Sequence, residues 1–463
     1  MNVIYIHTHD SGRYVGPYGY QGMTPNIDRL GHDSAVFRQC YCAGPTCSPS
    51  RAALLTGRWP HCNGMLGLAQ RGFALYDYGM HVVPTFNANG FETVLAGIQH
   101  EAVNAQKIGY QVILNQPERD DMYIPNPEEY DKASVNEIEK YLAGRNPETP
   151  FFISLGLISC HRNFPESTVE AGYVAPPPQL YDCPQARKDM AGYLTSVKIA
   201  DECVGKAVSM LKGHGLYENT VILFTTDHGI AFPWMKCNLY DTGIGVACML
   251  REPGGRMNGM VSDALISHID IFPTIFELCG IAKPQWMQGK SLMPILRGER
   301  DEVNEEIFAE VTYHASYEPM RCVRTSRYKL VRRFDDYDGI VPSNIDNGHS
   351  KQFLLDAGLL KKKHPKDLLF DLFLDPLERE NLMENEDYAE IRQMMQDKLE
   401  NWMAETDDPL LNAGNRAAAP PGTTSQRQTA TPPGAISQRP VAAPPGAKVN
   451  RQSCLHAEIP DYE

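Results

Sequence analysis

Two short polar clusters, each closing an apolar run, are the first places where this sequence could do chemistry. His9-Asp10-Ser11-Gly12 follows the run Asn2–Thr8, and Thr226-Asp227-His228-Gly229 follows the run 220–225. A carboxylate at the end of a strand can simply cap it, but two such carboxylates on adjacent strand ends, each beside an imidazole, can together hold a divalent cation. A third feature is Cys47 in Gly44-Pro45-Thr46-Cys47-Ser48-Pro49-Ser50-Arg51. Ser48 suits a helix N-cap, Pro49 the first helical position and Gly57 the helix end. The spacing therefore predicts a helix starting just after Cys47. Its free N–H groups and dipole favour an anion or a thiolate there. Arg51, one turn in, can reach back towards Cys47. A buried structural cysteine before a helix fits the same local pattern.

These groups need elements that carry them to one place. Residues 2–8, 93–96, 150–157, 220–225 and 245–250 read as buried strands. Helical spacing lies between them, as at 190–212, where Ile199, Cys203, Ala207 and Met210 share a face. Strands alternating with helices predict a large, mostly parallel sheet sandwiched by helices, an α/β fold. Ligands bind beyond the carboxyl ends of such strands, so the polar clusters belong at one site. After about residue 300 the pattern changes. Residues 306–313 and 320–332 read as antiparallel strands, and 387–405 as an amphipathic helix with Ile391, Met394, Met395, Leu399 and Trp402 on one face. The expected organisation is a catalytic α/β region over 1–300, a smaller α+β unit over 301–408 and a tail over 409–463. In that tail Pro-Pro-Gly recurs from positions 420, 432 and 444, with too little apolar bulk to fold.

Bulk properties exclude some classes. The 463 residues carry a net charge of −14 without a basic run, so nothing suggests nucleic acid. No apolar run approaches the roughly 18 residues of a membrane span. The start shows no signal-peptide pattern, which leads to the expectation of a cytoplasmic enzyme with mostly reduced cysteines.

Cys47-Ser48-Pro49-Ser50-Arg51, followed by Leu54-Leu55-Thr56-Gly57-Arg58, resembles the signature of the formylglycine-dependent sulfatases, members of the alkaline phosphatase superfamily. The resemblance implies oxidation of Cys47 to formylglycine by a formylglycine-generating or anaerobic sulfatase-maturing enzyme. In the family, one hydroxyl of the hydrated aldehyde attacks sulfur and the other expels sulfate. The metal ligands implied are His9, Asp10, the converted Cys47, Asp227 and His228. The family usually shows Asp-Asp where this chain has His9-Asp10. Ca²⁺ is the family's ion, and the two histidines leave Mn²⁺ or another transition metal open.

Gly97-Ile98-Gln99-His100 resembles the family's Gly-Lys-x-His, with the histidine kept and Ile98 at the lysine position. Arg13 is a candidate substitute for that lysine. By the same resemblance His161, in Cys160-His161-Arg162, is the general acid. Lys236, in Met235-Lys236-Cys237, binds a sulfate oxygen, and His100 joins it. Residues 229–233, 238–240, 372–382 and 398–409 resemble the N-sulfoglucosamine sulfohydrolases. The activity implied is hydrolysis of sulfate esters or sulfamates on sulfated aminosugars or glycosaminoglycan fragments. Two other readings fit. One is a phosphonate or phosphate monoesterase of the same superfamily, since both acid groups are tetrahedral. The other is a non-catalytic, sulfatase-like carbohydrate-binding protein, which Ile98 supports.

Overall fold

The computed structural model describes residues 1–20, 22–117 and 124–411. The Pro-Pro-Gly repeats of the expected tail lie outside the described residues. The described residues form twelve strands: β1 Asn2–Thr8, β2 Ala35–Tyr41, β3 Glu92–Gly97, β4 Val112–Leu114, β5 Phe151–Leu157, β6 Thr220–Thr226, β7 Cys248–Arg251, β8 Met260–Ser267, β9 Glu306–Tyr313, β10 Tyr317–Thr325, β11 Tyr328–Arg333 and β12 Asp367–Asp371. Among the described residues the first eight form one sheet in the order β4-β3-β5-β1-β6-β7-β2-β8. All its pairings are parallel except the two made by β7.

The sheet is covered on both faces, and β1 shows why its sequence is apolar throughout. Side chains alternate across a strand. Val3 and Tyr5 join Leu95, Phe152 and Leu223 in one core. Ile4 and Ile6 join Val94, Ile153 and Phe224 in the other. Helices Cys47–Thr56, Val82–Ala88 and Ile271–Leu278 cover the first face. There Phe86 stacks on Phe152 with ring centroids 4.4 Å apart. Helices Pro25–His32, Pro127–Gly144 and Pro184–Gly213 cover the second. Burying each large apolar side chain is worth about 1.5–3 kcal/mol.

The register of the central strands sets the site. Thr8 of β1 lies opposite both Leu157 of β5 and Thr226 of β6. Gly97 of β3 lies opposite Gly156 of β5. Four carboxyl ends are thereby level. Gly97 has φ 75°, and a Cβ there would sit 2.1 Å from the Gly156 carbonyl oxygen. Only glycine lets β3 turn outward so close to β5.

β9 to β12 form a second, antiparallel sheet in the order β12-β11-β10-β9. Helix Ala389–Glu405 packs on it through Met395, Leu399, Trp402 and Met403. Salt bridges tie this unit to the first. Asp241 pairs with Arg324 at 3.1 Å and with Lys329 at 2.5 Å. His61 pairs with Glu310 at 3.0 Å and lies 3.8 Å from Asp408.

The structure differs from the sequence expectations in several elements. The expected strand 245–250 begins only at Cys248 and runs antiparallel. Its first residues are drawn off to other backbones, with the N–H of Val246 donating to the Cys40 carbonyl and that of Ala247 to Gly12. The expected single strand 320–332 is a hairpin, because Thr325 Oγ1 accepts the Tyr328 N–H and reverses the chain. In the last helix Met394 is exposed and Met403 takes the buried position. Among the described residues every cysteine is a free thiol, and no helix is long and apolar enough to cross a membrane.

Candidate active site

The carboxyl edge of the sheet gathers the groups singled out from sequence. His9 and Asp10 follow β1, His100 follows β3, His161 follows β5, and Asp227 and His228 follow β6. All are buried. Asp10 at φ 45° and His100 at φ 73° hold left-handed backbone. For residues other than glycine this costs about 1–3 kcal/mol each and is concentrated at functional sites.

Cys47 is the first residue of its helix, not the residue before it. Thr46 occupies the N-cap position, and Ser48 Oγ instead accepts the Ala69 N–H at 3.0 Å. Gly57 ends the helix at φ 64° as its sequence position suggests. The expected thiolate does not follow. Burial pushes the Cys47 thiol well up, reinforced by Asp10 and Asp227, and Lys236 and Arg51 do not offset it. A helix dipole is only a partial charge, and taking the thiol out of water disfavours its anion.

Arg51 does not stop at Cys47. It spans from the helix to β1 and β6, donating to Asp227 Oδ2 at 2.9 Å and to the Thr8 carbonyl at 3.3 Å. It also meets His7 Nδ1. Burial and Arg51 push the His7 pKa well below its ordinary value, so a neutral ring accepts that bond. His7 escaped the sequence reading because it lies inside a strand, where a lone histidine carries no signal.

The metal-type cluster is compact. One ligand atom each from His9, Asp10, Cys47 and Asp227 lies within 4.8 Å of all the others. His228 Nε2 lies 3.3 Å from Asp10 Oδ1, 3.7 Å from Asp227 Oδ2 and 3.5 Å from Cys47 Sγ. Its Nδ1–H donates to the Gly229 carbonyl at 2.9 Å, which turns Nε2 towards the two carboxylates. Asp227 Oδ1 accepts the N–H groups of Asp10 and His228, both at 2.9 Å. Burial pushes Asp227 up, but His228 and Arg51 outweigh it and hold the carboxyl well below its usual range. His9 is kept neutral by burial and by Arg51. Neither ring nitrogen of His9 nor Asp10 Oδ1 has a hydrogen bond. Buried polar atoms are nearly always satisfied, so two carboxylates, two imidazoles and three atoms without a hydrogen bond fit a divalent cation.

Lys236 Nζ sits between Asp10 Oδ2 at 3.0 Å and Asp346 Oδ2 at 2.9 Å. Asp346 was not visible from sequence. It follows the turn Pro342–Asn344 of the second unit, and only packing brings it here. His161 Nε2 is 3.9 Å from Asp10 Oδ2, and its Nδ1–H donates to the Arg162 carbonyl. Asp131 accepts the Ile158 and Ser159 N–H groups at 2.8 and 2.9 Å and so fixes the turn that carries His161. The rings of His9 and His100 meet edge to face, 4.6 Å between centroids. Ile98 packs on Ile158, Ile124 and Tyr130 instead of facing the cluster. Arg13 does not replace the absent lysine. It donates to the Cys40 carbonyl at 2.8 Å and lies 4.5 Å over the Tyr41 ring. Beside His161 and Asp346 opens a cavity of about 420 Å³, also lined by Arg71, Arg162 and His314.

Two buried aspartates and two histidines that fit a divalent cation lie beside the start of the Cys47 helix, on the carboxyl edge of a doubly covered sheet. Residues 1–281 match the family model described as Sulfatase. Residues 229–341 match the one described as N-sulphoglucosamine sulphohydrolase, C-terminal. The chain belongs to the sulfatase family. It is 28% identical over 468 residues to human N-sulphoglucosamine sulphohydrolase, covering 89% of this chain and 91% of that one. It is also 28% identical over 427 residues to a Formosa agariphila ulvan-active sulfatase, covering 88% and 81%. The fold matches a solved 2-O GAG sulfatase with a TM-score of 0.70 at 21% identity, over 88% of this chain and 92% of that one. This chain is therefore an enzyme that hydrolyses sulfate esters or sulfamates, in a family that works through formylglycine and a metal.

Proposed function

We propose that this sulfatase desulfates N- or O-sulfated aminosugars in glycosaminoglycan fragments. The observation that carries the substrate class is the match of residues 229–341 to the C-terminal part of N-sulphoglucosamine sulphohydrolase. That stretch contributes Lys236 to the cluster and His314 to the cavity wall. Formylglycine made from Cys47 supplies a hydroxyl nucleophile, and a divalent ion supplies charge to polarise the sulfuryl oxygens. His9, Asp10, Asp227 and His228 hold that ion, Ca²⁺ by family habit or Mn²⁺ by the imidazole content.

Arg51, fixed between His7 and Asp227, holds the helix start that carries residue 47. Lys236 and His100 bind the sulfuryl oxygens. Lys236 is preorganised by two carboxylates, so its charge is in place before substrate arrives. His161 already carries a proton on Nδ1. A second proton, on Nε2, is the one it hands to the departing oxygen or nitrogen. Conversion of Cys47 requires a formylglycine-generating or anaerobic sulfatase-maturing enzyme as partner.

The test is anion release by protein co-produced with a formylglycine-generating enzyme, beside Cys47→Ala. The substrates are N-sulfoglucosamine, 6-sulfated N-acetylglucosamine, an aryl sulfate and an aryl phosphonate. Sulfate released from a sulfated sugar, and lost in Cys47→Ala, is the expected result. Release from the phosphonate alone, by protein whose Cys47 is converted, overturns the proposal.

A further inference from the structure

The cavity beside the site has a wall whose charges do not all cancel. Four of its lining side chains are formally charged: Arg71, Glu128, Arg162 and Asp346. Three have partners. Glu128 pairs with Lys132 at 2.6 Å, and Asp346 with Lys236 at 2.9 Å. Arg162 pairs with Asp189 at 3.1 Å and lies over the rings of Phe164 and Phe232, at 4.5 and 4.9 Å. Two wall histidines add little charge, since burial pushes both His161 and His314 below their ordinary value.

Arg71 is the exception. Among the described residues its guanidinium has neither an ion pair nor a hydrogen bond, although it is half-buried on the wall. It sits at the end of the short turn Ala69–Arg71, which Ser48 of the nucleophile helix holds through the Ala69 N–H. Its position is thus tied to the helix start that carries residue 47. Arg71 shares the cavity wall with His314, and its charge and that of Lys236 both help to hold the His314 pKa down. Next to Arg71, the Gln70 amide is buried with neither of its atoms hydrogen-bonded. Guanidinium binds planar carboxylate and tetrahedral sulfate oxygens alike, through paired N–H donors. At about 420 Å³ the cavity has room for a sugar bearing a second group besides the one being cleaved.

We propose that Arg71 forms a second oxyanion subsite, so that the enzyme selects saccharides carrying another sulfate or a uronate carboxylate beside the scissile sulfuryl group. This rests on the saccharide reading above, and it adds a charge requirement to it.

Binding, not turnover, is the test. Metal-loaded Cys47→Ala protein is titrated calorimetrically with N-sulfoglucosamine, with glucosamine 2-N,6-O-disulfate, and with N-sulfoglucosamine linked to a uronate. At least one dianionic ligand is expected to bind about ten-fold more tightly than the monoanion, a usual scale for one charge-assisted contact. Which of the two gains distinguishes sulfate from carboxylate. Arg71→Gln in the same background brings the ratio close to one, Arg71→Lys keeps part of it, and added salt shrinks it. Equal affinities at the outset overturn the proposal. So does a preference that survives Arg71→Gln. Sulfate release from N-sulfoglucosamine by the converted enzyme tests the parent reading separately, because it needs no second anion.

Discussion

Lys236→Met is the most informative single change at this site. The ammonium is buried between two carboxylate oxygens at 3.0 and 2.9 Å. At an effective dielectric near 20, each contact is worth about 5 kcal/mol of Coulomb attraction before desolvation is counted. Removing one partner from such a buried set costs about 3–5 kcal/mol net. Here the cost falls on catalysis as well, because Asp10 and Asp346 are left facing an incoming anion. At about 1.4 kcal/mol per decade, kcat/KM for a sulfated aminosugar should fall by about 10²- to 10³-fold. A double-mutant cycle separates charge from packing. Asp346→Asn alone loosens Lys236 and lowers kcat/KM. The same change made on top of Lys236→Met removes an uncompensated anion and raises it, by about ten-fold if one such charge weighs about 1.4 kcal/mol. A Lys236→Met enzyme within three-fold of the parent would refute the reasoning. So would an Asp346→Asn effect of the same size and sign in both backgrounds.

Three further outcomes follow from the geometry. Dialysis against a chelator should abolish sulfate release, and comparing Ca²⁺ with Mn²⁺ on reloading reports whether carboxylates or imidazoles dominate the ligand set; full activity in metal-free protein would contradict the cluster's role. For His61, burial pushes the pKa down but Glu310 outweighs it and holds the imidazole at about 10. A raised folded value gives stability that is complete below the ordinary pKa of about 6.5 and lost as pH rises through 10. The urea midpoint should therefore decline from pH 7 to pH 10, and the His61→Gln variant should start lower and decline less. Burial and Lys236 push His161 below its ordinary value against the pull of Asp10 and Asp346. A donor that must be protonated then makes kcat fall with rising pH from the acid side. His161→Gln should flatten that limb and spare aryl sulfates most, since their leaving group needs the proton least; an unchanged pH profile would count against His161.

The parts of the molecule legible in the sequence are those whose cause is local. β1, β5 and β6 stand out because strands buried on both faces read as unbroken apolar runs. The family signature stands out because the helix start, Cys47 and Arg51 lie within one turn. β2 and β8 did not stand out. Arg38, Gln39 and Asp263 interrupt their pattern, as strands nearer a sheet edge allow. Met394 and Met403 could not be told apart by helical spacing, because the sheet beneath decides which side of the helix is covered.

At the site, residue type and order were set by sequence, while charge state and partnership were set by the fold. Local rules favour an anion or a thiolate at Cys47, yet burial at the sheet edge pushes its thiol up. Arg51 was assigned to its own turn, yet the register of β1 and β6 delivers His7 and Asp227 to it. Lys236 was nameable, but its second carboxylate was not. Asp346 comes from a distant turn that reaches the cluster only when the two sheets pack together. Short-range spacing carries no record of such contacts, because they depend on where separate elements end in space.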